Sequence, residues 1–326
     1  MNIGLDLGYS HTKLVHGGGR AIFPSVVGTP DETRFSLNGA GKGIILTEPR
    51  HVAIGDLAIE QSQYTERRED RGWIESDPYL DLMLAALTET TAATHCDVFI
   101  VSGLPIRFYS KDKGSLAQRL SGEYRAKRDG RRGQTFTITG AKVIPQGMGA
   151  LLSVCLDDAG NLVNADLANG RIGLVDIGGK TTGILSVNHL AEIGHQTDSI
   201  DKGAWEIVRT VRRWLADNCP DLEKSDHELV MDIKAGFTKN DGQRIDLGRV
   251  IAGAAAPLAA EIVAAAGQQW NGGGALDAIL LTGGGAHLVG PYIQEHPKFA
   301  RAQVIAGDPV FANALGYFRF AQRLTR

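Results

Sequence analysis

"IGLVDIGGKTTGILSV", residues 172–187, is an apolar run broken by one carboxylate, Asp176, followed by one apolar residue, a glycine pair, small hydroxyls and a second apolar run. The N-terminal stretch "MNIGLDLGYSHTKLV", residues 1–15, repeats the plan around Asp6, Gly8, Ser10 and Thr12, with Lys13 on the returning run. Each predicts two strands joined by a tight turn, because glycine and small hydroxyl residues mark turns between apolar runs. One such Asp–X–Gly, alone, reads as a capped hairpin turn. A second copy in the other half of the chain marks two related halves.

The segments around these turns predict a mixed α/β chain. In the first half, residues 24–73 read as an irregular, partly extended excursion rich in Gly, Pro, Thr and charge. "YLDLMLAALTETTAA" (79–93) has helical apolar spacing, and "CDVFIVSGLP" (96–105) reads as a buried strand. "GSLAQRLSGEYRA" (114–126) reads as helix, and "RRGQTFTITGAKVIPQ" (131–146) as two strands split at Thr139 and Gly140. "GMGALLSVCL" (147–156) is a helix, followed by a polar stretch to Gly170. The plan then restarts with strands over 171–196, an amphipathic helix over 203–219 and an Ala-rich helix over 250–270. A strand, glycine turn and helix follow over 276–296. The expected domains are 1–156, with a C-terminal helix 317–326 packing back on it, and 157–316.

The chain has 326 residues, 43% of them hydrophobic, enough for substantial cores. A net charge of −3 gives no basis for bulk binding of nucleic acid or membrane. Cys96, Cys155 and Cys219 are odd in number and lack CxxC spacing, which argues for reduced thiols. No HxxxH or HExxH pairing suggests a transition-metal cage. The first residues read as strand rather than as a basic segment with an apolar core, and no 18-residue apolar run stands out. The expected location is cytoplasmic.

A phosphate chain needs backbone N–H groups at close range, and glycine permits that approach. The turns after Asp6 and Asp176 are expected to supply them at Gly8, Gly178 and Gly179, with the hydroxyls of Ser10, Thr12, Thr181 and Thr182 as added donors. Lys13 is expected to reach a β- or γ-phosphate as a point charge. The two aspartates are expected to face each other across a cleft. Carboxylates beside a polyphosphate need a hard cation between them, so Asp6 and Asp176 are expected to hold Mg2+ through water and to orient the attacking water. "LLTGGGAHL" (280–288) places Gly283, Gly284 and Gly285 where backbone can pass close to adenine and ribose, with His287 beside the base. In "VIPQGMGALL" (143–152) a strand ends before Gln146, a residue able to position water without being a strong base.

Taken in order, these segments resemble the ATPase fold of actin, the heat-shock chaperones and the sugar kinases, and most closely the ParM/StbA group of bacterial actin-like proteins. Phosphate-1 matches Asp6 to Lys13, connect-1 Ile144 to Leu151, phosphate-2 Asp176 to Thr182, adenosine Leu281 to His287, and connect-2 Asp308 to Gly316. "VFIVSGLPIRFYS" (98–110) and "DPVFANALGYF" (308–318) look like that group's segments too. The resemblance implies two pseudo-symmetric domains with RNase H-like cores, each with a smaller inserted subdomain, closing on ATP or ADP with Mg2+. It implies catalytic roles for Gln146, Asp176 and Asp6. Nucleotide contacts are implied for Gly8, Tyr9, Ser10, His11, Thr12, Lys13, Gly178, Gly179, Lys180, Thr181, Lys202, Gly203, Gly283, Gly284, Gly285 and His287.

The implied function is an ATPase that polymerises with nucleotide and disassembles after hydrolysis, serving plasmid or DNA segregation. The implied partners are further copies of the chain and a small DNA-binding adaptor, with no direct contact to nucleic acid or membrane. Three departures from the group stand out: Gln146 replaces a common Glu, Lys180 a usual Thr, and Gly183 a second Asp. Lys180 either adds a cation near the γ-phosphate or points into solvent. A small-molecule kinase of the same fold would need a further catalytic Asp at a substrate pocket. A non-polymerising, nucleotide-gated adaptor would bind ATP and barely turn it over. The basic run Arg125, Lys127, Arg128, Arg131 and Arg132 reads as a solvated hairpin tip, a filament contact or an anionic docking patch. Trp205 and Trp214 read as core anchors.

Overall fold

The chain's structure is a computed structural model that describes residues 1–30, 43–66 and 71–326. Part of the excursion expected over residues 24–73 therefore lies outside the described residues. The chain divides into two compact units, Met1–Ala165 with Phe311–Arg326, and Asp166–Val310.

The first unit opens with the antiparallel strands β1 (Asn2–Leu7), β2 (His11–His16) and β3 (Gly19–Pro24). An insert carries β4 (Val27–Gly28), β5 (Ile44–Glu48), β6 (Val52–Ile54), α1 (Asp56–Gln61) and β7 (Thr65–Glu66), and ends in a 3-10 turn, Arg71–Glu75. Then come α2 (Asp77–Thr88), β8 (His95–Leu104), α3 (Ile106–Leu120), β9 (Gly122–Arg128), β10 (Gln134–Pro145) and α4 (Met148–Cys155). The second unit begins at α5 (Ala165–Asn169). It continues with β11 (Arg171–Ile177), β12 (Thr182–Asn188), β13 (Ala191–Glu192), β14 (Asp198–Ile200), α6 (Trp205–Asn218), α7 (Asp226–Ala235), β15 (Phe237–Asn240) and β16 (Gln243–Asp246). It ends with α8 (Gly248–Gln269), β17 (Ala278–Thr282), α9 (Ala286–Gln294) and β18 (Gln303–Val304). The chain returns to the first unit as α10 (Ala312–Leu324).

The sheets repeat one plan. In the first unit the order runs β3-β2-β1-β8-β10 and continues through β9 into the insert; β1, β8 and β10 are parallel and β2 is antiparallel to β1. In the second the order is β13-β12-β11-β17-β18, with β11, β17 and β18 parallel and β12 antiparallel to β11. Parallel central strands are buried on both faces, which explains their continuous apolar runs. Both units thus place an Asp turn at the carboxyl end of a central strand, where open α/β sheets present ligand sites.

Each unit has its own core. Ile3, Leu5, Leu82, Met83, Ile100 and Phe136 belong to the first, and Val175, Ile207, Val211, Ile262 and Leu281 to the second. On α6, Ile207, Val208, Val211 and Leu215 are buried, a one-face spacing in which each side chain contributes about 1.5–3 kcal/mol. Trp205 and Trp214 pack, partly buried, against this core. α7 starts with a capping box in which Ser225 and Glu228 satisfy each other's backbone N–H. α8 reaches the length and apolarity of a membrane span, unlike the reading above, but Ala254, Ala255, Leu258, Ala259, Ile262 and Ala266 lie in the second core.

Two expectations change in detail. Residues 122–126 are strand, not helix: α3 ends at Leu120, and β9 pairs antiparallel with β10. The expected split at Thr139 is a bulge within one long strand, β10, between Ile138 and Gly140. At the hairpin after β9, Arg128 pairs with Glu89, and Arg131 donates to the Thr88 carbonyl at 3.1 Å. Arg125, Lys127 and Arg132 are exposed. The polar stretch after α4 stays with the first unit beyond residue 156. There Leu156 bridges Leu162, and Arg319 of α10 pairs with Asp158 at 2.7 Å.

Asp81 on α2 is 1% exposed and accepts from Arg50 Nη1 at 3.0 Å. Burial pushes its carboxyl up to about 6 from 3.8; Arg50 pulls it down, while Asp77 and Glu66 raise it further. Between these values the folded protein holds a proton that the unfolded chain has released. The resulting stability is full below the lower value and is lost as pH rises through about 6. Asp81→Asn is therefore expected to exceed wild type by about 1–3 kcal/mol near pH 7.5 and to match it near pH 4, read by urea unfolding. An Asn variant less stable than wild type at the higher pH would show that the Arg50 pair outweighs the burial cost.

Candidate functional site

The two Asp turns are built alike. In the first, β1 and β2 pair with Asp6 opposite Lys13 and Leu7 opposite Thr12. In the second, β11 and β12 pair with Asp176 opposite Gly183 and Ile177 opposite Thr182. Both leave a four-residue loop closed by its first glycine: Gly8 N–H donates to the His11 carbonyl at 3.2 Å and Gly178 N–H to the Thr181 carbonyl at 3.0 Å. These two N–H groups, expected to face phosphate, are instead spent on closing the loops. The middle of each loop is made by Tyr9 and Ser10, and by Gly179 and Lys180.

The threonines at the head of the returning strands, Thr12 as the second residue of β2 and Thr182 as the first of β12, also differ from expectation. Thr12 is fully buried and its hydroxyl bonds that of Ser25 at 3.0 Å. Ser25 in turn donates its N–H to the Ser10 carbonyl at 2.9 Å and its hydroxyl to the Gly8 carbonyl at 2.7 Å. Thr182, equally buried, donates to the Lys202 carbonyl at 2.8 Å. The Ala204 and Trp205 N–H groups donate to the Gly178 and Gly179 carbonyls, each at 2.9 Å. In each unit, then, a Thr hydroxyl anchors a following segment that takes up the loop carbonyls. Ser25 carried no motif in the sequence; only its contacts reveal it.

Asp6 is 3% exposed, with Lys13 Nζ at 2.8 Å from Oδ2 and Gln146 Nε2 at 3.4 Å from Oδ1. Lys13 therefore neutralises Asp6 across the hairpin rather than extending out of the turn, and a buried carboxylate needs such a partner. Gln146 precedes α4, whose first amides are capped by a side chain the sequence did not flag. Asn313 Oδ1 accepts from Gly147 and Ala150 N–H at 3.0 and 3.1 Å. Ser10 Oγ lies 2.9 Å from His11 Nδ1.

In the second unit Gly283, at φ +88°, lies against Asp176: a Cβ there would come within 2.5 Å of Asp176 Oδ1 and of the Ile177 carbonyl. Gly285 donates its N–H to that carbonyl at 2.9 Å. These two glycines of the triplet thus serve the Asp176 turn, and Gly284 and His287 are the exposed members of that segment. Gly203 is pressed on the same turn, since a Cβ would lie 2.5 Å from the Gly178 and Gly179 carbonyls. Lys202 reaches away to Glu261 at 2.6 Å. Asp176, Gly179 and Thr181 are half-buried, and Lys180 is exposed.

Among the described residues no three His, Cys, Asp or Glu side chains gather into a metal cage. One carboxylate per turn fits an ion held largely by water and phosphate oxygens, as Mg2+ prefers.

Two units of this topology, each with an Asp turn ending a central strand, define the actin fold. Residues 4–149 match the family described as Actin like proteins N terminal domain, and residues 174–295 match Archaeal actin homologue MreB-like, C-terminal. An archaeal actin homolog of Thermoplasma acidophilum is 24% identical over 98% of both chains. The structure of a 15-stranded ParM filament from Clostridium botulinum superposes with a TM-score of 0.79 at 24% identity, covering 99% of each chain. That of an archaeal actin homolog in complex with ADP gives 0.79 at 21% identity, again over 99% of each chain. The chain belongs to the actin-like proteins and shares the fold of ParM and of the archaeal actin homologs.

Proposed function

We propose that this protein is an ATPase that polymerises with nucleotide and hydrolyses ATP in the polymer. The observation that carries the reading is the paired construction of the turns: the same loop closure, the same Asp register and the same Thr anchor occur in both units. A hairpin needed only for packing has no reason to repeat its carboxylate and its anchored carbonyls. The loop around Tyr9 and Ser10 and the loop around Gly179 and Lys180 each receive phosphate. Asp6 and Asp176 hold Mg2+ through water, and the ion, when bound, offsets phosphate charge. Gln146 and Asp176 orient the water for in-line attack. The relatives described as an ADP complex and as a ParM filament support nucleotide binding and self-assembly here. Segregation of plasmid or other DNA through a small adaptor, in the cytoplasm, follows the ParM likeness.

The test is sedimentation and electron microscopy of the purified protein with ATP, ADP or no nucleotide, alongside phosphate release. Polymer that forms with ATP and Mg2+, with phosphate released as it ages, is the expected result. A protein that stays monomeric at high concentration under those conditions removes the filament reading; binding without turnover removes the ATPase reading.

A further inference from the structure

Trp73 lies on the 3-10 turn that closes the insert, 4% exposed, and grips both sides of Gly8. Its indole N–H points to the Leu7 carbonyl at 3.5 Å, and its ring centroid is 6.4 Å from that of Tyr9, tilted by 43°. Tyr79 of α2, 1% exposed, meets the indole edge-on at 5.7 Å and 81°.

The platform is itself braced. Ser76 donates its hydroxyl to the Trp73 carbonyl at 2.7 Å, and Arg119 of α3 donates to the Ser76 carbonyl at 2.9 Å. Two residues before Trp73, Arg71 forks onto Asp112 of α3 at 2.9 and 2.5 Å. That pair holds the Asp112 carboxyl below its usual range. One bulky side chain, fixed to α3 from both flanks, therefore sets where Leu7 and Tyr9 stand. Trp73 adds to the hold of Ser25 on the first loop's carbonyls, which matches that of the Ala204 and Trp205 N–H groups on the second.

We propose that Trp73 is a positioning residue for phosphate binding at the Gly8 turn, and that its emission reports occupancy of that turn. The inference rests on the reading of this turn as a phosphate loop. A loop pre-set to its bound shape loses less freedom when the ligand arrives, so loosening it weakens affinity. Phosphate contact at Tyr9 and Ser10 shifts the ring and carbonyl that touch the indole, which alters its surroundings. Trp73 is the only tryptophan of the first unit; Trp205, Trp214 and Trp270 are in the second.

The experiment titrates wild type, Trp73→Phe and Phe136→Leu with Mg-ADP by calorimetry and by intrinsic fluorescence, and records each melting temperature. Phenylalanine keeps ring packing and removes the N–H, so about fivefold weaker binding is expected, the effect of one lost hydrogen bond. The wild-type minus Trp73→Phe emission should change on adding ADP. Phe136→Leu, a cut in the same core away from the turn, should lower the melting temperature with affinity unchanged. Wild-type affinity in Trp73→Phe, or a loss matched by Phe136→Leu at equal destabilisation, overturns the positioning role alone. A difference emission that is flat to ADP overturns the reporter role. Wild type that binds no ADP overturns the phosphate-loop reading and this inference with it.

Discussion

Asp176→Ala is expected to slow ATP hydrolysis by about 10²–10³-fold while the protein still folds and still takes up nucleotide. The carboxylate stands on the penultimate residue of β11, half-buried, opposite Gly183 in the β12 ladder, so its removal leaves the strand pairing in place. Its proposed work is done on the reacting water and on the ion that accompanies phosphate. Such interactions are strongest in the transition state, so their loss appears in kcat more than in KM. A hundredfold loss corresponds to about 2.7 kcal/mol of barrier, too large for a surface carboxylate and modest for one that orients a nucleophile. Single-turnover phosphate release, with nucleotide binding followed separately, reads the split. A rate within twofold of wild type would leave Asp176 a turn residue and return the hairpin to its simplest reading.

Gly316→Ala is expected to destabilise the first unit by at least about 3 kcal/mol, although alanine is the better helix former by about 1 kcal/mol. Gly316 lies mid-helix in α10 where it crosses α4, and a Cβ there would overlap the Gly149 carbonyl. Backbone, unlike a long side chain, cannot swing aside, so the helices must separate and the packing term outweighs propensity. Separation would also move Asn313, which caps α4 beside Gln146, so hydrolysis should slow together with the loss of stability. Calorimetry should show the first unit's melting lowered by roughly 6–12 °C, with the second unit's transition as an internal reference. An alanine variant that melts at or above wild type would refute this account of the crossing.

Much of the architecture was legible because its signals are local. The apolar runs around Asp6 and Asp176 announce buried strands, and the glycines between them announce turns. Helix spacing marks α2, α6 and α8 for the same reason. The weaker readings concern pairing partners. Nothing within residues 122–126 distinguishes the end of a helix from a strand, and β10 decides it by offering a ladder to β9. The inserted strands β4 to β7 are two to five residues long and take their form from one another, so no periodicity of their own reveals them.

At the candidate site the division is sharper. By itself the sequence determined that two carboxylates end two central strands and that each is followed by a loop small enough for backbone to approach a ligand. That follows from residue types at fixed spacing along one chain. Only the tertiary structure decided where the polar atoms go: Gly8 and Gly178 close their loops, Thr12 and Thr182 anchor neighbouring segments, and Lys13 satisfies Asp6. It alone brought in Ser25, Trp73 and Asn313, which reach the turns or α4 from other parts of the chain. The physical reason is that a donor or acceptor in a folded protein bonds whichever partner lies within about 3 Å, and sequence separation has no bearing on that distance.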